Sequence, residues 1–181
     1  MREIVDLAVG NDEKNREVIL KIPGERVNIV VVYIGRGAGK INLNYKVKLL
    51  APETTAKIRV VGLLMDQAKK KLKMELEFSK KAINAEGEEL EDSLNLADEV
   101  KNESSPIIRS ENGEAKGKHG VKVGQIDESQ VEYLKSRGVS REKAIKILVK
   151  AKLMQALSWV EDEEKRAALK RKLEALDFQI R

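Results

Sequence analysis

Two groups of side chains in this sequence have types and spacings suited to chemistry or binding. His119 is the one histidine of the chain, and a neutral imidazole can ligate a metal ion. Tyr133 and Arg137 are four residues apart, so on a helix they share one face. Tyr and Arg are enriched at protein–protein hot spots. Each residue could instead have a purely structural role. His119 would then be a structural residue at a strand end, Arg137 would bind helix-end carbonyls, and Tyr133 would fill a gap under the helix.

The chain lacks the residues on which most enzyme mechanisms depend. The absence of Cys excludes disulfides, zinc thiolate sites, a Cys nucleophile and thiolate ligation of an iron–sulfur cluster by this chain alone. The run from Gly35 to Lys40 resembles a phosphate loop, but three residues separate Gly35 from Gly39 and Ile41 follows the lysine. A strand-to-strand turn is the better interpretation. The acidic run near Glu88 has no paired histidine. We therefore predict a protein that is not an enzyme.

Composition sets the remaining limits on function. The chain has 181 residues, with 35 Lys and Arg against 30 Asp and Glu, and 3% aromatic residues. The charges are mixed along the chain rather than gathered in a basic patch with interleaved aromatics, so nucleic-acid binding is not expected. No apolar run approaches a membrane span of about 20 residues. The first residues lack an apolar signal core. We therefore expect a cytoplasmic protein of one domain, or of one domain with a small appendage.

Alternating apolar and polar residues predict β-strands before residue 127. Predicted strand centres fall near residues 30, 45, 60 and 75, and less clearly near 94 and 107, with polar turns between them. This spacing is typical of a sandwich, a barrel or a β-solenoid, and periodicity alone does not separate the three. A one-residue slip at Val60 and Val61 suggests a bulge. The range 81–103 is ambiguous and has features of a partial helix.

Helical patterns with clear caps follow residue 127. Asp127 and Ser140 are predicted N-caps, and Gly138 is a predicted left-handed residue at a helix end. The predicted helices run to Arg137, then from about Arg141 to Trp159, and from about Glu161 to Asp177. The sequence thus predicts a β-domain over 1–126, with a short N-terminal lead-in, and a helical subdomain over 127–181.

The most specific stretch runs from Ser104 to Lys150. Within it His119-Gly120 leads through Gly124-Gln-Ile-Asp127 to Tyr133-Leu-Lys-Ser-Arg-Gly138 and then to a long helix. This order and spacing resemble the SufB/SufD family, the scaffold proteins of the SUF iron–sulfur cluster assembly machinery. Upstream, the run from Asn95 to Ile108 is similar to the same family's segment before that strand.

The resemblance implies a fold and a set of partners. The fold would be mainly β, a right-handed parallel β-helix or β-solenoid followed by a C-terminal α-helical subdomain. The helices would dock the machinery's ABC-type ATPase, through Tyr133, Leu134, Arg137 and Gly138. The solenoid would pair with a second SufB/SufD-like scaffold subunit or with a copy of itself. His119 would lie near that interface, where a transient iron–sulfur cluster is shared with the partner and no cofactor is bound permanently.

The departures from the family pattern refine this expectation. Typical members are more than twice as long, and the scaffold branch carries a ligand Cys that is absent here. Gly120 matches the SufD-type branch, whereas SufB-type members have Glu at that position. The sequence therefore predicts a minimal SufD-like accessory subunit. The alternative is a diverged, cysteine-free adaptor or stabiliser of an ABC-type ATPase with no direct role in cluster assembly.

Overall fold

The structure is a computed structural model that describes residues 1–176, which form nine β-strands followed by three α-helices. The odd-numbered strands form one parallel sheet in the order β1-β3-β5-β7-β9, here called the odd sheet. The even-numbered strands form a second parallel sheet in the order β2-β4-β6-β8, the even sheet. The strand bounds are β1 Arg2–Val9, β2 Asp12–Leu20, β3 Arg26–Gly35, β4 Lys40–Leu49, β5 Thr55–Leu64, β6 Lys69–Phe78, β7 Glu86–Asn95, β8 Lys101–Ser110 and β9 Lys116–Gly124.

The chain winds as a solenoid, because each coil contributes one strand to each sheet before the next coil stacks on it. Ile29 pairs with Ile58, and Ile58 pairs in turn with Glu89, so equivalent positions of successive coils form rows. This arrangement confirms the predicted parallel β-solenoid and removes the sandwich and the barrel. The predicted lead-in segment is itself two strands, β1 and β2, which the sequence pattern did not reveal.

The space between the two sheets is a close-packed apolar core. Alternate side chains of every strand point inward, as the pleat requires. The larger fully buried members include Tyr33, Tyr45, Ile29, Ile58 and Leu49. Such aliphatic and aromatic burial is the main term that offsets the conformational entropy of folding.

A second apolar cluster lies on the outer face of the odd sheet, where the helices cover it. The outward side chains of Val30, Val61 and Leu63 pack there with helical residues such as Val149 and Leu153. Both faces of β3 and β5 are therefore buried, which explains the apparent slip at Val60 and Val61. The pairing of β5 is continuous, so the predicted bulge is wrong.

The helices begin where the caps predict. Asp127 accepts a hydrogen bond from the Ser129 backbone N–H before α1 (Glu128–Ser136), and Gly138 follows that helix with a φ of 83°. Ser140 caps α2 (Arg141–Met154), which continues as a short 3-10 helix, Gln155–Trp159. Asp162 caps α3 (Glu163–Glu174). The predicted end of the last helix, Asp177, lies outside the described residues.

The range 81–103 forms strand rather than helix, since it contains β7 and the start of β8. Its pattern was obscured because β7 carries glutamates on its inward face. The change from strands to helices falls between Gly124 and Glu128. The division into two domains stays a prediction.

Candidate functional site

The two ends of the solenoid differ in how their edge strands are finished. One end, the closed end, consists of β1 and β2, where Arg16 forms two hydrogen bonds with the Asp6 carboxylate, at 2.8 and 3.0 Å. The Tyr45 hydroxyl also donates to Asp6, at 3.1 Å. Inward-pointing charges of this kind disfavour pairing with another strand.

The other end, the open end, consists of β8 and β9. Val121 and Val123 lie in the rows that face the interior, yet they are 41% and 45% exposed. Each strand pairs on one side only, so β9 offers backbone donors and acceptors along its free edge. The open end thus joins an unpaired strand edge to exposed apolar side chains, which is the chemistry of a pairing surface.

His119 lies on this open end. It belongs to β9, its side chain is exposed, and its register partner in β7 is Glu89. The prediction that His119 lies on a strand is confirmed, and the role of its side chain stays a prediction.

Glu89 is a buried carboxyl group beside the open end that the sequence analysis missed. The residue is 0% exposed, and neither carboxylate oxygen has a hydrogen-bond partner. Burial raises the pKa of Glu89 to about 8, and the Glu75 carboxylate adds to this effect against the opposing influence of the Ile107 backbone. At neutral pH Glu89 is therefore protonated in the folded chain.

A polar network occupies the interior two residues further along β7. Glu91 binds the Lys70 ammonium at 2.6 Å and accepts hydrogen bonds from the Tyr33 hydroxyl, at 3.1 Å, and from Ser104. Lys70 also donates to Ser104, at 2.7 Å, and the Lys70 and Glu91 side chains are both 0% exposed. Burial lowers the pKa of Lys70, while Glu91 opposes that change. Ser104 belongs to β8, so this network connects the core to the open end.

The second predicted group lies on α1, which is tied to the start of α2 by two hydrogen bonds from Arg141 to the Glu128 carboxylate. Val131 is the buried residue of this helix, whereas Tyr133 is 60% exposed. The Arg137 guanidinium stacks over the Tyr133 ring, 5.4 Å from its centroid. Leu134 is half-buried, and its carbonyl accepts the backbone N–H groups of Arg137 and Val139 at 3.1 Å. Tyr133 therefore does not fill a gap under the helix.

Polar contacts at two places fix the helices to the odd sheet. The Glu3 carboxylate accepts the backbone N–H groups of Glu161 and Asp162, at 2.9 and 2.8 Å, just before α3. Asn28 donates to Glu3 and to the Trp159 carbonyl, at 2.8 and 2.7 Å. On the other side, Lys152 of α2 forms an ion pair with Asp92 of β7.

The segment that resembles a phosphate loop is a turn between β3 and β4, as predicted. Gly37 has a φ of 60°, and its N–H donates to Asp66 of the next coil at 2.7 Å. Within residues 1–176, no group of three or more His, Cys, Asp and Glu side chains could hold a metal ion. Over the same residues, every helix is too short or too polar to cross a membrane.

These features define a parallel β-solenoid protein with one closed end, one open end and a helical segment fixed across one sheet. A family model described as the SufBD core domain of SUF system FeS cluster assembly matches residues 4–152. The chain therefore belongs to the SufBD family, which confirms the resemblance found in the sequence.

One curated relative has the same family assignment. An iron–sulfur cluster assembly SufBD family protein of Pyrococcus horikoshii is 41% identical over 59 residues. The aligned segment makes up 33% of this chain and 13% of that protein. The chain therefore matches a small part of the relative's length.

Proposed function

We propose that the chain is a non-enzymatic, SufD-like subunit of the SUF assembly complex. It docks an ABC-type ATPase through α1 and pairs with another scaffold subunit through the open end. The observation that carries this proposal is the placement of the two surfaces. An exposed Tyr–Arg pair on α1 and an unpaired strand edge on β9 lie on one chain, whose later helices pack on the odd sheet.

The geometry of α1 supports docking. A helix that buries one side chain gains little from its own packing, so its exposed face is free for a partner. Tyr133 presents a large amphipathic ring, and Arg137 holds that ring in place by stacking. Gly138 lets the chain turn sharply after the helix, and the Tyr133 side chain stays 60% exposed.

The contrast between the two ends supports pairing at β8 and β9. The Asp6–Arg16 ion pair closes one end, whereas Val121 and Val123 leave apolar area uncovered at the other. A partner strand on β9 would satisfy the free backbone groups and cover both valines.

The cluster enters this proposal as cargo. His119 offers one imidazole nitrogen ligand at the open end, and the chain has no thiolate to add. The thiolates would therefore come from the partner subunit. Gly120 beside His119 agrees with the SufD-like branch of the resemblance.

A second candidate function is an ATPase adaptor or stabiliser without a role in cluster assembly. The absence of Cys favours it, since the chain alone cannot hold a cluster by thiolates. It keeps the docking helix and makes His119 dispensable. Co-expression with a Cys-bearing scaffold subunit, with and without His119→Ala, separates the two through the cluster absorbance of the purified complex.

The docking experiment compares complexes by size-exclusion chromatography with light scattering. The wild type, mixed with the SUF-type ATPase from the same organism, is expected to form a stable complex. Tyr133→Ala/Arg137→Ala should lose it, because both exposed contact groups are gone. Lys143→Ala/Lys150→Ala, on exposed positions of α2, is the matched control and should bind normally. Absence of a wild-type complex in either nucleotide state would refute docking.

A further inference from the structure

The outward side chains of the edge strand β9 form a basic row. Register pairing places Lys118 beside Glu88 and Lys122 beside Asp92, on the face of the odd sheet that points away from the core. Lys116 stands at the start of the same strand, and all three lysines are exposed. The other outward positions on β9 are Gly120 and Gly124, so this row contains no carboxylate.

Near Lys118 the outward charges alternate across β5, β7 and β9 of the odd sheet. Lys57 and Arg59 on β5 are followed by Glu88 on β7, which binds Arg59 at 2.8 Å and Lys118 at 2.5 Å. Opposite charges on neighbouring strands stabilise a sheet, and like charges destabilise it. The next strand in this order would therefore be acidic on its outward face.

The groove beside β9 extends the basic area. It has a volume of about 490 Å³, and its lining residues come from β5, β7 and β9, with Gly87 and Gly117 among them. Four cationic side chains line it against two glutamates: Lys57, Arg59, Lys116 and Lys118 against Glu86 and Glu88. A strand or loop placed against β9 meets this excess of positive charge.

We infer that the partner of β9 is an edge strand of a different chain, with acidic side chains on its outward face and apolar side chains on its inward face. This inference rests on the pairing at the open end proposed above and specifies its partner. In an antiparallel pair, residues directly opposite each other share a face. Carboxylates would then meet Lys118 and Lys122, while apolar side chains would cover Val121 and Val123.

A second copy of this chain fits β9 poorly. Pairing of β9 with its own copy about Gly120 sets Lys118 opposite Lys122, so like charges face each other. The outward face of β8 offers one carboxylate, Glu103, among Lys101, Ser105, Ile107 and Arg109. In addition, Pro106 removes one backbone donor from β8.

A charge-reversed copy can stand in for the acidic partner. Lys118→Glu/Lys122→Glu gives β9 an acidic row beside its valines, sets a carboxylate opposite both lysines of the wild type, and leaves Glu88 paired with Arg59. Circular dichroism checks that the variant is folded before mixing. Wild type and variant, each alone, should elute as 20.3 kDa monomers in light scattering at low salt. Their equimolar mixture should form a dimer about tenfold tighter than either self-association, from a few cross-strand charge pairs. Added salt of about 0.5 M should weaken it.

The control separates the basic row from overall charge. Lys80→Glu/Lys81→Glu makes the same change of charge in the exposed turn between β6 and β7, and its mixture with wild type should stay monomeric. A wild-type homodimer that Val121→Asp disrupts would overturn the acidic-partner inference while retaining the open end as the pairing surface. A mixture no more associated than its components would also overturn it, and the ATPase-docking experiment would be unaffected.

Discussion

Glu89→Gln replaces a buried carboxyl group that has no hydrogen-bond partner with a neutral amide of the same shape. The folded pKa of Glu89 is about 8, whereas an unfolded glutamate titrates near about 4.3. Wild-type stability therefore falls as pH rises from about 4.3 to about 8, because the unfolded chain releases a proton that the folded chain retains. Above about pH 8 the contribution of Glu89 to the free energy of unfolding no longer changes with pH.

The size of the effect follows from the difference between the two pKa values. Each pKa unit is worth about 1.4 kcal/mol, so the penalty at pH 7 is about 3 to 4 kcal/mol. The new amide brings its own unsatisfied donors, which cost about 1 to 2 kcal/mol. Glu89→Gln should therefore stabilise the chain by about 2 kcal/mol at pH 7, a rise in Tm of about 4 to 8 °C.

Thermal unfolding followed by circular dichroism between pH 4 and pH 8.5 measures this effect. The difference in Tm between variant and wild type should be smallest near pH 4 and grow up to pH 8. Glu91→Gln, two residues along the same strand, is the matched control. It should destabilise the fold by about 3 to 5 kcal/mol, because it leaves the buried Lys70 without its charged partner. A stabilisation by Glu89→Gln that does not depend on pH would refute the reasoning.

Three further predictions concern the sheet, the core and the helices. Lys73 and other cations hold the pKa of Glu75 down to about 2, so the ionised Glu75 stabilises the folded chain. Glu75→Gln should therefore lower Tm at pH 7. The difference in Tm from wild type should disappear as pH falls from about 4.5 to about 2 in the same unfolding series. Ile58→Ala should cost about 2 to 5 kcal/mol in urea unfolding, while Lys57→Ala beside it changes little. Glu3→Ala should speed hydrogen exchange of the amides at the start of α3 and leave those of β5 protected. If the α3 amides exchange at the same rate in the variant and the wild type, the Glu3 carboxylate does not hold α3 to the sheet.

Local signals in the sequence predicted much of the fold. The strands β4 and β6 alternate clearly, β3 is a continuous run of β-forming residues, and the caps Asp127, Ser140 and Gly138 mark the helix ends. These features depend on neighbouring residues alone. The bulge was wrong because burial of both faces of β5 depends on helices that follow much later in the chain.

The candidate site was harder to predict because it depends on coil stacking. Glu89 and His119 lie on separate strands, and only the register brings them together. The inward position of Lys70 could have been found, since it extends the alternation of Leu72 and Met74, but a lysine at that position is ordinarily taken as solvent-exposed. The stacking of the coils instead places the Lys70 side chain in the interior, facing Glu91.

Hydrogen–deuterium exchange of the chain in complex with the SUF-type ATPase and a Cys-bearing scaffold subunit tests the central proposal most directly. Relative to the chain alone, the amides of β9 should gain protection when the scaffold subunit is added, and those of α1 when the ATPase is added. The turn around Lys80 and Lys81 should not change. Protection by either partner that falls on the closed end, with β9 and α1 exchanging as before, would contradict the account.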